Sequence, residues 1–476
     1  MYSVILYGCG KRCEKLLSCL PDDGIKIIKV ADGNPSKWGS SVHGYEICNP
    51  RVLSAYRKVD ICITIGNEKD KAEARDIIRA YNENILKNEI DYTVLIIKIY
   101  AEYYKSHKKS VEIKNRHSVL FDCHNGLGLG GIEEWTKSIC QEFMKKNYPD
   151  IYIISPPGKY LIPQLLADRI LYVDIDDGNK IGKKTIESVV ACIEQRMPCT
   201  VVTCHIDEVL IAAGALKSIY PQHIKLVSVI HGGYEDNYIR YSELDELTDV
   251  YIGVSRDIQE ALINRGIEAE KVLHITCPVN CDKKLMRQYT MNSHEPLKLG
   301  YAGRIELPQK RMDLLLKVVD SLEKKRADYK LILAGEGSAL TDIQAFAKER
   351  GLDNRIICLG KIDRSKIPDF WKAIDVCVNI ADVEGRSISI MEAMANGAVP
   401  VVTATSGVRE DITDGENGYI VGIGDYEEMA DKIYELCRHR DRLKTFGYKS
   451  HDMIYSKSQM DSHIDFWQRL FSSLWK

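Results

Sequence analysis

Two glutamates eight residues apart stand at a loop–helix junction, where they could bind the hydroxyl groups of a sugar. Glu384 lies in the loop after a strand predicted over Val376–Asn379, and Glu392 lies inside the next helix, predicted over 387–396. A carboxylate can accept two hydroxyl hydrogen bonds at once, as a ribose or hexose diol requires. Free backbone N–H groups at the start of that helix favour an anion such as a diphosphate. Solvated surface acids are the alternative, but the apolar helix around Glu392 favours a ligand site.

Two cations follow another predicted strand, Leu297–Tyr301. Arg304 and Lys310 leave a single loop at its carboxyl end, which is the edge where open α/β sheets bind ligands. Converging there, the two cations could neutralise the charge of a diphosphate leaving group. Basic loop residues are usually just solvated, so this loop indicates a site only together with the glutamates and with a second tight turn at Gly335.

Parallel sheets are needed to position these residues, and the chain has three alternating β/α blocks that could form them. Short β-rich runs between helices imply parallel sheets covered on both faces. Polar stretches at 105–117 and 281–296 separate the blocks. The strands predicted around the candidate residues are Leu297–Tyr301, Lys330–Ala334, Ile356–Leu359, Val376–Asn379 and Val399–Thr403.

Length and composition exclude several classes of protein. The 476 residues are 45% hydrophobic and 28% charged with a net charge of −3, so we expect about three globular domains and no general attraction to nucleic acid. No run reaches ~18 apolar residues, and Met1 leads into a strand instead of a signal peptide, which predicts a soluble, cytoplasmic protein. The 15 cysteines include no Cys-x-x-Cys pair, so we expect free thiols in a reducing compartment.

Four ordered motifs resemble those of the retaining glycosyltransferases of family GT4. They are Gly303-Arg304-x5-Lys310, Gly335-Glu-Gly337, Leu359-Gly360 and Glu384-x7-Glu392, the last continuing as Glu-Ala-Met-Ala-x-Gly. The resemblance covers about 117–476. It implies the GT-B fold, in which two Rossmann-like domains face each other across a cleft. The segment between the arginine and the lysine is one residue longer than the commonest form of this motif.

The resemblance implies a role for each charged residue. Arg304 and Lys310 grip the diphosphate of a nucleotide-sugar donor. Glu392 binds the ribose hydroxyls, and Glu384 contacts the hydroxyls of the donor sugar.

Two histidines are candidates for positioning a substrate. His231 comes at the end of a strand predicted over Lys225–Ile230 and before Gly232-Gly233. It looks like the family histidine that lines the cleft, which implies a role in positioning the donor sugar or the acceptor, and a structural histidine is the alternative. His205, after a strand predicted over Thr200–Thr203, is a second candidate on the acceptor side.

The other predicted donor contacts are small residues or backbone groups. They are Gly130, Gly131, Gly303, Gly335, Gly360, Lys361, Ser387, Ile388 and Ser389. By resemblance, Gly360-Lys361 reads the base, the helix start contacts the phosphates, and Gly130-Gly131 approaches them from a glycine-rich loop. A plain strand–helix turn explains Gly130-Gly131 equally well. We predict transfer without a metal, because Asp174-Ile-Asp176-Asp177 looks like part of a loop and no Asp-x-Asp motif stands in a metal-binding context.

The first block has a different signature. Gly8-x-Gly10-x-x-Cys13 keeps two of the three dinucleotide-fingerprint glycines, and Asp32 lies where a ribose-binding acid would, which alone predicts NAD. Cys13 replaces the helix-packing glycine or alanine, however, and the block is too short for a dehydrogenase. With Asp32-Gly-Asn-Pro-Ser-Lys-Trp-Gly39 it resembles the small Rossmann-like domain that heads some bacterial sugar acyltransferases and polysaccharide-assembly proteins. A scaffold or docking role is therefore favoured over cofactor chemistry, and a bound nucleotide is the alternative.

The sequence thus predicts an α/β protein of four parts. These are a Rossmann-like accessory domain at 1–110, an acceptor-side GT-B domain at 117–285, a donor-side GT-B domain at 296–455, and a C-terminal helix at 456–476 that packs back across the domains. Contact of that helix with the inner face of a membrane is the alternative.

We expect a retaining, metal-independent hexosyltransferase that needs no cofactor. It would move a sugar from a nucleotide-diphosphate donor, a UDP-sugar ahead of a GDP-sugar, to a glycan or lipid-linked acceptor in bacterial surface polysaccharide or glycoconjugate synthesis. The alternatives are a non-catalytic nucleotide-sugar-binding scaffold of a polysaccharide assembly complex and a nucleotide-sugar epimerase. The sequence leaves open the donor base and sugar, the acceptor and the oligomeric state.

Overall fold

The computed structural model describes residues 2–107, 110–123, 125–128, 130–148, 150–158, 160, 162–174, 182–292 and 294–476. Parts of four predicted segments lie outside the described residues: Lys108 and Lys109 of the first polar stretch, His124 and Leu129 of the glycine-rich loop at 124–131, residues 175–177 of the aspartate cluster, and Ser293 of the second polar stretch. The chain divides into two compact units. The first comprises Met1–Val229, Tyr238–Tyr251 and Arg265–Lys271, and the second comprises Ile230–Asn237, Ile252–Asn264 and Val272–Lys476.

The first block forms a five-stranded sheet. Its strands are β1 (Tyr2–Tyr7), β2 (Ile25–Ala31), β3 (Ser41–Val42), β4 (Tyr45–Cys48) and β5 (Asp60–Ile63), in the order β3-β4-β2-β1-β5. Its helices are α1 (Lys11–Ser18), α2 (Glu68–Asn82) and α3 (Tyr92–Ser106). Every recorded pairing is parallel except that between β3 and β4. Lys105 belongs to the last turn of α3, so the prediction of a linker from residue 105 was wrong at its start.

The second block forms a seven-stranded sheet. Its strands are β6 (Ser118–Asp122), β7 (Ile151–Ser155), β8 (Ile170–Tyr172), β9 (Cys199–Thr203), β10 (Ile224–Ile230), β11 (Val250–Gly253) and β12 (Val272–His274), in the order β12-β11-β10-β9-β6-β7-β8. The helices are α4 (Gly131–Lys145), α5 (Lys183–Glu194), α6 (Glu208–Ile219), α7 (Glu235–Ser242) and α8 (Arg256–Asn264). Trp135, Ile139 and Phe143 form the buried face of α4, as their spacing predicts.

Helix α3 packs against α6 within the first unit. Ile96, Ile97 and Tyr100 of α3 are buried, and α6 is buried over the whole of its first nine residues. Gly214 of α6 permits the close approach, because a Cβ atom there would lie only 3.2 Å from Ile97 Cδ1. The first 107 residues therefore share an apolar helix contact with the second block.

A leucine at this contact should destabilise the protein. We expect Gly214→Leu to lower the free energy of unfolding of the full chain by about 1–3 kcal/mol, the usual cost of overpacking a buried contact. Urea-induced unfolding measures the change. Ser218→Leu, which adds the same side chain at an exposed position one turn further along α6, is the matched control and should have little effect. Equal unfolding midpoints for both variants would contradict the close helix contact.

The third block forms a six-stranded sheet whose recorded pairings are all parallel. Its strands are β13 (Leu297–Ala302), β14 (Tyr329–Ala334), β15 (Ile356–Gly360), β16 (Val376–Asn379), β17 (Val399–Thr403) and β18 (Tyr419–Val421), in the order β15-β14-β13-β16-β17-β18. The chain thus proceeds in one direction from β13 to β15 and in the other from β16 to β18. Strands β13 and β16 are paired neighbours, and the strand order reverses between them. Their carboxyl ends therefore form a topological switch point, where sheets of this kind bind ligands.

Eight helices accompany the third sheet along the chain. They are α9 (Met312–Lys324), α10 (Leu340–Arg350), α11 (Ile367–Lys372), α12 (Ile388–Ala395), α13 (Val408–Asp411), α14 (Tyr426–Arg438), α15 (Asp441–Lys457) and α16 (Met460–Leu474). Strands and helices bury one apolar core that includes Leu299, Leu331 and Val401. In α16, Trp467, Leu470 and Phe471 are buried. No helix in the described parts of the chain is both long and apolar enough to cross a membrane.

Candidate active site

Three glycines hold together the loops that leave three neighbouring strands. Gly303, Gly335 and Gly360 stand at the carboxyl ends of β13, β14 and β15. The Gly335 amide donates a hydrogen bond to the Gly360 carbonyl at 2.8 Å. A Cβ atom at Gly335 would fall on the carbonyl oxygen of Gly303. Glycine is therefore required there, and the predicted backbone contacts lie together at one edge of the sheet.

Lys310 and Glu384 form an ion pair across the switch point. Lys310 lies in the loop after β13 and Glu384 in the loop after β16, and Lys310 Nζ contacts Glu384 Oε1. The two side chains are only 13% and 11% exposed. The structure thus brings together a predicted diphosphate ligand and a predicted sugar ligand, 74 residues apart in sequence.

Arg304 is held within its own loop. Its guanidinium donates to Glu306 Oε2 and to Gln309 Oε1, both at 2.8 Å, and its side chain is half exposed. Gln309 in turn donates from Nε2 to the Val383 carbonyl at 3.0 Å. Sequence reasoning missed Gln309, which connects the arginine to the loop that carries Glu384.

A second connection between the two loops was also missed. Arg311 Nη1 donates to both carboxylate oxygens of Asp382, at 2.8 and 3.0 Å, and its other nitrogens bind Asp313. The two carboxylates raise the pKa of Arg311. Because Arg311 follows Lys310 directly, these bonds fix the backbone from which the lysine side chain extends.

Helix α12 carries the second glutamate. Its N-cap is Ser387, whose side chain makes no capping hydrogen bond, while Ser389 Oγ donates to the Ala302 carbonyl at the end of β13 at 2.6 Å. Glu392 is buried further along the helix, and Arg364, from the segment after β15, forms an ion pair with it. Each of the two glutamates is therefore paired with a cation in the free protein.

The main chain of His231 lies against the loop of Glu384. A Cβ atom at Gly385 would fall on the carbonyl oxygen of His231, so the two segments touch through backbone atoms. Tyr234, three residues further on, has an exposed ring and was missed from the sequence. Partial burial and the Glu384 carboxylate raise the pKa of Tyr234, while Arg304 lowers it.

A buried arginine organises the chain between the two glutamates. Arg386 Nη1 lies 3.0 Å from Glu410 Oε2, and Arg386 Nη2 lies 2.5 Å from Asp411 Oδ1. His274 Nε2 is 3.2 Å from the same Glu410 oxygen, and the Arg256 amide donates to the other at 2.7 Å. Burial alone would raise the pKa of Glu410, but these neighbours lower it to about 2. Glu410 is therefore ionised at neutral pH.

The remaining predicted donor contacts, Gly130 and Gly131, lie in the first unit. Gly130 is the N-cap of α4 and Gly131 its first residue. A Cβ atom at Gly130 would meet only the carboxylate end of the Glu133 side chain, which can move aside, and the backbone there is extended, so this position does not require glycine. Their contact with donor phosphates stays a prediction.

His205 lies beside two aspartates in the first unit. Its Nδ1 is 3.7 Å from Asp122 Oδ2 and 4.0 Å from Asp207 Oδ2, and its Nε2 is 3.4 Å from Asn125 Nδ2. Burial lowers the pKa of His205, but the aspartates more than offset it and bring the pKa to about 9. One potential ligand atom from each of Asp122, His205 and Asp207 lies within 4.8 Å of the others, close enough for one cation. Metal-independent transfer stays a prediction.

The charge on His205 should make stability depend on pH. Because the folded-state pKa exceeds the ordinary value of 6.5, the imidazolium stabilises the fold fully below about pH 6.5, and this contribution is lost as pH rises through about 9. We expect His205→Gln to destabilise the protein by ~1 kcal/mol at pH 6 and by nothing at pH 10. Urea unfolding at both pH values measures this, with the exposed His294→Gln as control. A difference that is the same at both pH values would contradict the assignment.

In the first sheet, Asp32 already has polar partners. Its carboxylate accepts hydrogen bonds from the Cys9 amide at 2.9 Å, the Cys9 thiol at 3.0 Å and the Asn34 amide at 2.8 Å, and Lys37 Nζ lies 3.3 Å away. These groups lower the pKa of Asp32 although burial opposes them. A ribose diol would have to displace some of them, which favours a structural role for this acid over NAD binding.

Comparisons with known proteins cover parts of the chain. Residues 282–453 match the model of the family described as glycosyl transferases group 1. The chain is 30% identical over 179 residues to the poly(ribitol-phosphate) alpha-N-acetylglucosaminyltransferase of Staphylococcus aureus (strain COL), covering 37% of this chain and 35% of that protein. It is 23% identical over 290 residues to the lipopolysaccharide 1,6-galactosyltransferase of Salmonella typhimurium, covering 58% of this chain and 74% of that protein.

A solved structure supports the fold. Anabaena Alr3699/HepE in complex with UDP superposes with a TM-score of 0.60 at 18% identity, covering 75% of this chain and all of the other. The GT-B fold expected from the sequence is confirmed, and the family match supports the group 1 resemblance over 282–453. The chain spans only 35% of the length of the S. aureus relative. The GT4 assignment and the role of the first block stay predictions.

Proposed function

We propose that this protein is a retaining glycosyltransferase that moves a sugar from a nucleotide-diphosphate donor to a glycan or lipid-linked acceptor in the synthesis of bacterial surface glycans. One observation carries the proposal: the partly buried Lys310–Glu384 ion pair at the switch point, beside the start of α12. A cation and backbone N–H groups at one sheet edge suit a diphosphate. The two polymer- and lipopolysaccharide-directed relatives support a bacterial glycan as the acceptor class.

In the proposed reaction, Lys310 and Arg304 neutralise the diphosphate as the bond between the anomeric carbon and the phosphate oxygen breaks. Glu384 orients the donor sugar through its hydroxyls, and Glu392 holds the ribose. The acceptor oxygen bonds to the anomeric carbon on the face that the diphosphate leaves, and its proton passes to a departing phosphate oxygen. This front-face course and the retention of configuration rest on the family resemblance. No residue of the chain is assigned as a covalent nucleophile.

Thermal shift and turnover assays on the full chain test the proposal. A ligand that binds only the folded state stabilises it by about 2.7 kcal/mol at a hundredfold excess over Kd, so UDP, GDP and ADP can be ranked by the rise in melting temperature. We expect UDP to give the largest rise and the double variant Arg304→Ala, Lys310→Ala to abolish it. Glu384→Ala should retain the rise but release no UDP from UDP-sugars. No rise with any of the three diphosphates would overturn the proposal.

A further inference from the structure

The carboxylate of Glu392 is occupied by a side chain that the sequence motifs do not include. Arg364 Nη2 contacts Glu392 Oε1, with the arginine side chain 45% exposed and the glutamate side chain 11% exposed. Arg364 begins a short 3-10 segment, Arg364–Lys366, that follows β15. It therefore reaches the glutamate from the same loop as Gly360 and Lys361, the predicted base contacts.

A guanidinium and a ribose compete for this carboxylate. Both hydroxyls of a ribose diol donate to the acceptor, and so do the N–H groups of arginine. While Arg364 contacts Oε1, its guanidinium takes up an acceptor site on the carboxylate that the diol would otherwise use. Because the arginine is half exposed, it can move into solvent while the ribose hydroxyls take its place on the buried carboxylate. The buried glutamate stays on its helix.

We propose that Arg364 is an internal competitor that sets the affinity of the donor site by occupying the ribose-binding carboxylate in the free protein. This inference rests on the proposed function, in which Glu392 binds the ribose. A partly exposed ion pair of this kind contributes little free energy, so competition from it lowers nucleotide affinity only slightly. Its removal should tighten nucleotide binding about two- to fivefold. The arginine acts through Glu392 and is assigned no part in the chemical step.

The test is titration calorimetry of the full-length protein with UDP and with inorganic pyrophosphate. Arg364→Met should bind UDP about two- to fivefold more tightly than the wild type. It should bind pyrophosphate, which lacks a ribose, no more tightly than the wild type, because the loss of a positive charge weakens attraction to any anion. Arg364→Lys keeps a cation, so its affinity for UDP should lie between those of the wild type and Arg364→Met. Arg355→Met is the matched control, since Arg355 is similarly exposed and pairs with Glu323 instead.

A double-mutant cycle separates this competition from other effects. Glu392→Gln should weaken UDP binding, and adding Arg364→Met to it should bring no gain. The inference is overturned if Arg364→Met leaves UDP affinity unchanged or weakens it, if pyrophosphate binding tightens equally, or if the gain persists without Glu392. If neither the wild type nor Arg364→Met binds UDP, GDP or ADP, the proposed function fails together with the competition. If the wild type and Arg364→Met bind UDP with equal affinity, the competition alone is overturned and the proposed function stands.

Discussion

Replacement of Lys310 by methionine should lower the turnover of the nucleotide sugar by about 10²–10³-fold, the cost of removing one preorganised charge-stabilising group from an active site. The Lys310 side chain is only 13% exposed beside Glu384, so its ammonium would meet the developing diphosphate charge where water screens it less than at the surface. The effect should fall mainly on kcat, because charge builds up on the diphosphate as the bond breaks. Release of UDP from the donor sugar under saturating conditions measures it.

Two further variants distinguish charge from packing. Lys310→Arg keeps a cation in the loop and should retain more activity than Lys310→Met. Lys317→Met removes an exposed lysine from α9 in the same unit and should leave turnover within a factor of about two. Equal melting temperatures for the three variants would confirm that the fold is intact. If Lys310→Met turned over as fast as Lys317→Met, the assignment of the diphosphate site to this edge of the sheet would be wrong.

The alternating pattern of the third block was enough to predict the sheet that holds the site. All five strands predicted there exist, with bounds within a residue or two, because each is an apolar run closed by glycine, polar or helical sequence. The additional strand, β18 (Tyr419–Val421), has only three residues and was missed. Strands this short carry too little pattern to be separated from a loop.

The candidate site was predictable only where its signal is local. Glu384 and Glu392 could be identified from their spacing across a loop–helix junction. The structure places both in one unit with Lys310. Asp382 and Arg364 were missed because their partners lie in other elements far along the chain: Arg311, for example, pairs with Asp382 across 71 residues. One sequence shows which charges exist, whereas the sheet order determines which of them meet.

Arg386 was missed for a different reason. Within the sequence Glu-Gly-Arg-Ser it looks like another exposed loop cation, yet its side chain is only 2% exposed. Arginine is almost never fully buried unless it is paired. Its partners are the two acids of the short helix α13, Glu410 and Asp411, and no local pattern predicts that pairing.

Loss of the Arg386 guanidinium should be among the most destabilising single changes in the second unit. We expect Arg386→Met to lower the free energy of unfolding by about 3–5 kcal/mol at pH 7, because it leaves Asp411 buried and unpaired. Urea unfolding of the full chain measures the loss. Arg409→Met, at an exposed arginine of the same short helix, should change stability by less than about 0.5 kcal/mol. Arg386→Met together with Asp411→Asn should recover part of the loss.

The pH dependence of this variant follows from the buried acids. Burial raises the pKa of Asp411, and Arg386 opposes that rise. Without the arginine the pKa rises further above its unfolded value, so a protonated Asp411 is tolerated at low pH and the cost of ionising it appears as pH rises. In the wild type, Glu410 has a pKa lowered to about 2, so its stabilising contribution is present above pH 4.5 and lost as pH falls toward 2. The difference in free energy of unfolding between the wild type and Arg386→Met should therefore become smaller as the pH falls from 7 to 4.

A constant difference across that range would mean that Arg386 acts by packing and not by charge. A loss of stability that becomes smaller as the pH falls would show instead that ion pairs hold this part of the chain in place. Arg386 lies between Glu384 in the loop and Ser387 at the N-cap of α12, and Gly385 beside it touches the main chain of His231. The buried charges thus fix the loop and the helix start together, so that the Lys310–Glu384 pair and the free N–H groups of α12 can face the same ligand.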